Sequence, residues 1–150
     1  MFREKAQELD VSLYELDQKA LSHDQYDREL DAAIKKIGET SDNFLCESRL
    51  AWHFIPDSIK IKYKCDDLVR FERIAEREKT ALIDAEMKTR TREHAIRERY
   101  SRLYNINDFE SDRLFDLVVD TTTITQETNV CLCVDFITTW ATYLSEHPVK

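Results

Sequence analysis

The sequence predicts an α/β fold with a short parallel sheet, on three observations. Two stretches leave helical periodicity: residues 59–65 alternate Ile, Lys, Ile, Lys, Tyr, Lys, Cys, and residues 115–121 form an apolar, β-branched run. Helical patterns lie before, between and after them, and strands alternating with helices favour parallel pairing. Glycine and proline are scarce, one and two in 150 residues, as suits helices joined by short connections.

Residues 2–37 read as helices. Ser12-Leu13-Tyr14-Glu15 fits the S-x-x-E capping box, which satisfies two orphan amide donors at a helix start. Asp24 is placed to cap the next helix, whose Tyr26, Leu30, Ile34 and Ile37 keep a helical spacing. Gly38 stands where a helix end wants positive φ. The first helix opens on Phe2 and Arg3 with no cap and no turn, as though cut.

The period then changes. Asn43-Phe44-Leu45-Cys46 follows a polar turn and predicts a strand, with a second at 59–65 and a third at 115–121. The lysines of 59–65 mark a half-exposed strand, or one whose far face their own stems cover. Asp66-Asp67 opens a helix carrying Leu68, Phe71, Ile74 and Ala75 on one side. Another runs from about Thr80 to Tyr104, and a last one from about Gln126 to Ser145 buries Val130, Val134, Ile137 and Leu144.

Composition narrows the function classes. The length suits one domain. The net charge of -8 argues against nucleic acid or an anionic membrane as the partner, since both are polyanions. No apolar run approaches the roughly 20 residues that cross a bilayer, and residues 1–5 begin no secretory signal, so a cytoplasmic setting is expected. Cys46 and Cys65 read as small hydrophobes in strands. Cys131 and Cys133 are two apart on a helix, where they share no face, and no metal site is expected.

Arginine is dense between Arg70 and Arg102. Arg73 and Arg77, four apart, share a helix face that can grip phosphate oxygens. Glu72, Glu76, Glu78, Glu93 and Glu98 interleave with the arginines, and such mixtures are usually solvated, ion-paired helices. Arg49 follows the first expected strand, and open α/β sheets bind ligands beyond the carboxyl ends of their strands.

Taken in order, the motifs resemble those of small archaeal-type cytidylate kinases. Glu47-Ser48-Arg49-Leu50-Ala51, then Ile59-Lys60-Ile61, is similar to the family's E-G-R-L-A…K-I-x-L stretch. The series continues through residues 70–78, Arg92-Glu93, Arg99-Tyr100 and residues 104–107. Residues 115–121 resemble the Y-D-L-V-I-D-T strand, Phe2-Arg3-Glu4 the F-R-E motif, and Asp24, Asp27 and Asp31 a D-x-x-D-x-x-x-D pattern. The likeness covers nearly the whole chain.

The resemblance implies a nucleoside monophosphate kinase of three-layer P-loop fold that moves the γ-phosphoryl of ATP, with Mg²⁺, to CMP or dCMP. Such transfer is mostly positioning and charge stabilisation. By that likeness Arg3 and Arg49 hold the monophosphate's phosphate, and Asp24, Asp27 and Asp31 belong to the monophosphate-binding helices. Arg73 lies against the adenine, Arg77 reaches the ATP phosphates, and Arg92 and Arg99 close over the transferring group. The segments implied are 1–37 for monophosphate-binding helices, 43–65 for two core strands, 67–105 for the lid and 115–145 for the last strand and helix.

Two departures qualify this. The sequence holds no G-x-x-x-x-G-K-[ST] loop, whose amides, lysine and hydroxyl serve the phosphates and Mg²⁺. Ser48 stands where the family has glycine. The expectation is an incomplete kinase domain of about three strands, silent as an isolated chain and holding neither ATP nor Mg²⁺ tightly. The loop's strand belongs between those at 43–46 and 59–65, leaving a sheet edge open to self-association. The alternatives are a non-catalytic nucleotide-binding or regulatory module on the same fold, and a helical interaction protein without nucleotide.

Overall fold

The structure, a computed structural model, describes residues 2–147, apart from the side chains of Phe2, Arg3, Glu4, Leu13, Asp17, Leu21 and Ser22. Three helices open the chain: α1 (Phe2–Glu8), α2 (Leu13–Ser22) and α3 (Gln25–Thr40). The short α4 (Ala51–Phe54) leads to strand β1 (Ile61–Lys64), which is followed by α5 (Asp67–Glu78) and α6 (Leu82–Tyr104). A single 3₁₀ turn precedes strand β2 (Leu117–Asp120), and α7 (Gln126–Glu146) closes the chain.

β1 and β2 pair directly and in parallel, Ile61 opposite Leu117 and Lys64 opposite Asp120. A parallel pair needs a long crossover, and here the α5–α6 hairpin supplies it. The fold is therefore α/β with many helices, and among the described residues its sheet has two strands, where three are expected from the sequence.

The strand expected at 43–46 does not form. Asn43 has φ 57, a left-handed backbone that starts no strand, and Leu45 is 96% exposed. Its apolar run is solvated loop.

The lysines of β1 explain its alternation. Lys62 and Lys64 point to one side, where Asp112 accepts both ammonium groups at 3.0 and 2.5 Å. The Lys62 ammonium lies over the Phe115 ring, 5.7 Å from its centroid. The Lys62 side chain is mostly covered there, while that of Lys64 stays exposed.

Helix termini follow local chemistry. Ser12 and Glu15 form the full reciprocal capping box of α2. Asp66 caps α5 by accepting from Leu68 N and Val69 N at 2.9 and 3.4 Å. Lys79 and Asn105 end α5 and α6 in the left-handed conformation.

Two expected caps differ. Asp24 sits at the N-cap of α3 but makes no side-chain cap: its backbone is helical, φ -57 and ψ -16, rather than extended, and its Oδ1 binds Arg102 at 2.7 Å. Gly38 ends nothing: α3 runs on to Thr40, and its φ is not positive. A Cβ at Gly38 would lie 2.9 Å from Cγ1 of Ile55, so the glycine is needed for close approach.

The main core joins Leu50, Ile96 and Phe109, with Trp52, Phe54, Tyr100, Tyr104 and Ile106 packed around it. It ties α4, α6 and the loop beyond α6 together. α7 is different. Val130 and Val134 are 54% and 53% exposed, Ile137 and Leu144 are exposed too, and Cys133 is the buried residue of this helix. A two-stranded sheet gives a helix of this length little to lie on, so the burial expected for that stripe is not achieved. Cys133 still meets the sheet, its sulfur 3.4 Å from the Tyr63 hydroxyl, while Cys131 is exposed.

Candidate functional site

The carboxyl ends of β1 and β2 lie side by side, and α5 starts directly above them. Thr121 donates its amide to Lys64 O at 2.8 Å, and Asp66 donates its own to the Thr122 hydroxyl at 2.9 Å. These bonds fix the two strand exits against each other.

Arg73 reaches down from α5 onto this junction. Its Nη2 donates to the carbonyls of Thr121 and Thr122 at 2.9 and 3.2 Å, and its Nη1 lies 3.4 Å from the Cys65 sulfur. Neutral acceptors hold the guanidinium in place without cancelling its charge.

Around Arg73 opens a cleft of about 410 Å³. Arg49 enters it from the loop before α4, Arg77 from α5, and Lys88 and Arg92 from α6. Arg70 also borders it, giving six cations against two carboxylates, Glu78 and Glu93. Ile74 and Ala85 supply apolar wall. Such a surplus of fixed positive charge at strand ends concentrates anions.

A neighbouring cleft of about 600 Å³ shares the strand exits but has the opposite balance. Lys64, Arg70, Arg90 and Arg97 there meet Asp66, Asp67, Glu93, Glu110 and Asp120. Arg97 and Arg90 are paired off, to Glu110 at 3.0 Å and Glu86 at 2.8 Å. The 410 Å³ cleft keeps the surplus of cations, although Arg77 there meets Glu78 at 3.0 Å and Arg70 meets Glu93.

The remaining candidates gather elsewhere, between α3 and α6. Arg99 Nε lies 3.0 Å from Asp27 Oδ2, Arg102 binds Asp24, and the Tyr104 hydroxyl donates to Asp31 Oδ2 at 2.5 Å. The three aspartates of the D-x-x-D-x-x-x-D pattern thus all engage one helix. Burial raises the Asp31 carboxyl, an effect only partly offset by the Tyr104 hydrogen bond. Burial and that same bond raise the Tyr104 hydroxyl, and burial pushes Tyr100 up to about 12.

The structure therefore divides the sequence candidates into two sets. Arg49, Arg73, Arg77 and Arg92 line the cationic cleft, while Asp24, Asp27, Asp31 and Arg99 form the helix clamp. The side chain of Arg3 lies outside the described residues. Arg70 and Lys88 join the cleft although the sequence gives neither a role; each stands three or four residues from another basic residue on the same helix.

Among the described residues no group of three His, Cys, Asp or Glu side chains converges to hold a metal ion. Mg²⁺ in phosphoryl-transfer sites is usually held by one or two carboxylates together with substrate phosphates, and the two carboxylates of the 410 Å³ cleft, Glu78 and Glu93, meet Arg77 and Arg70. No helix among the described residues is long and apolar enough to cross a membrane.

No family model matches the chain, and no solved structure matches it. Curated sequences do. A cytidylate kinase of Haloquadratum walsbyi is 40% identical over 123 residues, 81% of this chain and 64% of that protein. One of Methanosphaera stadtmanae is 31% identical over 130 residues, 87% of this chain and 75% of that protein. One of Methanosarcina acetivorans is 36% identical over 124 residues, 80% of this chain and 68% of that protein. The chain thus spans about two thirds to three quarters of the length of these relatives. With this identity along most of its residues, the chain belongs to the cytidylate kinase family.

Proposed function

We propose that the cationic cleft grips nucleotide phosphates in an ATP-dependent phosphorylation of CMP or dCMP on a P-loop-like fold. The observation that carries this is the convergence of Arg49, Arg73, Arg77 and Arg92 beside the carboxyl ends of two parallel strands. Phosphoryl transfer asks the protein chiefly for position and positive charge, and this cleft offers both. Arg49 holds the monophosphate's phosphate, Arg73 faces the adenine, and Arg77 and Arg92 neutralise charge on the transferring group. Arg99 and the three aspartates act one step back: their clamp holds α3 against α6 and so fixes where Arg92 stands.

The 150-residue polypeptide alone does not perform the transfer. It has no glycine-rich amide cradle with its lysine and hydroxyl, and the arginines of the cleft do not replace them. The experiment is a coupled assay of ADP release from ATP and CMP, using polypeptide freed of host kinase. The expected rate is that of the buffer blank, whereas fusion of a strand–loop unit carrying G-x-x-x-x-G-K-[ST] ahead of Met1 is expected to give turnover. Turnover by the unfused polypeptide overturns its silence. Phosphate binding without turnover in the fusion favours the non-catalytic regulatory module.

A second copy of this chain is the further partner proposed. β1 and β2 each have an outer edge unpaired among the described residues, and such edges recruit strands. Sedimentation velocity across a concentration series tests this: a coefficient that rises with concentration supports self-association, and a constant monomer value rejects it.

A further inference from the structure

Phe71 is a buried ring of α5 with two guanidinium groups against it. Arg70 and Arg90 each lie 5.1 Å from its centroid. Asp67 joins these arginines, its Oδ1 2.7 Å from Arg70 Nη2 and its Oδ2 3.7 Å from Arg90 Nη1. The other arm of the Arg70 fork, Nη1, crosses to Glu93 of α6. Arg70 and Glu93 both border the cationic cleft.

Arg70 thus has two attachments of different kinds. The ring and Asp67 hold the guanidinium from its own helix, and Glu93, which borders the cleft with Arg70, occupies the other arm. Release of Glu93 would leave the first anchor intact, so the freed arm would stay in place rather than swing into solvent. A phosphate chain carries more charge than one carboxylate, and several other cations of the cleft would favour it at the same moment.

We infer that Arg70 is a further phosphate-binding residue of this cleft, held in reserve by Glu93 and handed to a diphosphate or triphosphate when one enters. The inference rests on the proposed reading of the cleft as a phosphate site. It makes Glu93 a positioning residue that sets how strongly the empty cleft attracts anions. A bridge that only fastens α5 to α6 predicts otherwise, because breaking it would loosen the cleft and weaken binding.

The test is calorimetric titration of the 150-residue chain with inorganic pyrophosphate at several salt concentrations, with thermal melts to confirm folding. Glu93→Gln is expected to tighten binding about threefold to tenfold, by leaving Arg70 without its competitor. Arg70→Gln is expected to weaken binding about tenfold and to make the salt dependence shallower. In the double variant the gain from Glu93→Gln disappears. Arg70→Lys, which keeps the charge but loses the fork, weakens binding severalfold and decides the matter if Glu93→Gln does not fold. Unchanged or weaker binding in a folded Glu93→Gln, a gain that persists without Arg70, or wild-type affinity in Arg70→Lys overturns the inference. If the wild type binds pyrophosphate and neither single charge removal moves it, the cleft reading stands and this inference alone fails. If neither wild type nor variants bind, both fail.

Discussion

Arg99 on α6 holds its Nε 3.0 Å from Oδ2 of Asp27 on α3, and the two side chains are only 2% and 4% exposed. An ion pair so deeply buried gives modest net stability, but losing one member leaves the other charge buried without its counter-ion. Asp27→Leu and Arg99→Met are each therefore expected to destabilise the chain by about 3–5 kcal/mol. The double replacement Asp27→Leu with Arg99→Met should cost clearly less than the sum of its parts. Urea unfolding of the four proteins measures the coupling. Additive losses would mean that the two side chains do not depend on each other.

Asp31 gives the clamp a pH signature. Its folded pKa is raised above the ordinary 3.8, chiefly by burial, so the folded state prefers the protonated acid. That preference favours folding below the unfolded value and is lost as pH rises through the folded one, leaving a charged carboxylate that burial penalises at neutral pH. Asp31→Asn still accepts from Tyr104 and carries no charge. Its stability relative to wild type is expected to be higher at pH 7, with the advantage fading as pH falls toward 4. Chemical denaturation at several pH values checks this, and an advantage that grows on acidification contradicts it.

Much of this architecture is legible in the sequence, and the exceptions share a physical cause. The capping box, the β1 and β2 regions and the helices from Asp67 to Tyr104 are local patterns, and local patterns were sufficient to place them. Residues 43–46 have strand composition but no partner strand, and a ladder is a property of two segments. The apolar stripe of α7 likewise says that burial is favourable, not that a surface exists to provide it. The two-set division of charged residues was hidden for a similar reason. Spacing shows that Asp24, Asp27 and Asp31 lie near one another on a helix, but not that Arg102, Arg99 and Tyr104 meet them.

Gly38 supplies a packing prediction. Alanine is intrinsically better in a helix by about 1 kcal/mol, but here its Cβ would meet Cγ1 and Cγ2 of buried Ile55 at 2.9 and 3.0 Å. Overpacking of that kind costs about 1–3 kcal/mol, so Gly38→Ala should lower stability on balance. In an Ile55→Ala background the clash is gone, and the same change should become neutral or stabilising. A loss of equal size in both backgrounds would place the strain elsewhere.

The capping box makes a smaller, local claim. Ser12 accepts from the Glu15 amide at 3.1 Å, while the Glu15 carboxylate accepts from the Ser12 amide at 2.8 Å. Ser12→Ala should cost about 1 kcal/mol and loosen the start of α2. Amide exchange near Glu15 reports it, and unchanged protection there would show that tertiary contacts alone hold this turn.

In the proposed function one cleft at the strand ends holds both nucleotides' phosphates, Arg49 on the monophosphate side and Arg77 on the ATP side. Calorimetric titration of CMP and of ATP at low salt tests it most directly, on wild type, Arg49→Ala and Arg77→Ala. Weak, salt-sensitive binding of each ligand is expected, with Arg49→Ala weakening CMP and Arg77→Ala weakening ATP, each by about tenfold. Wild-type affinity for both ligands in both variants, or no heat with either ligand in the wild type, would contradict it.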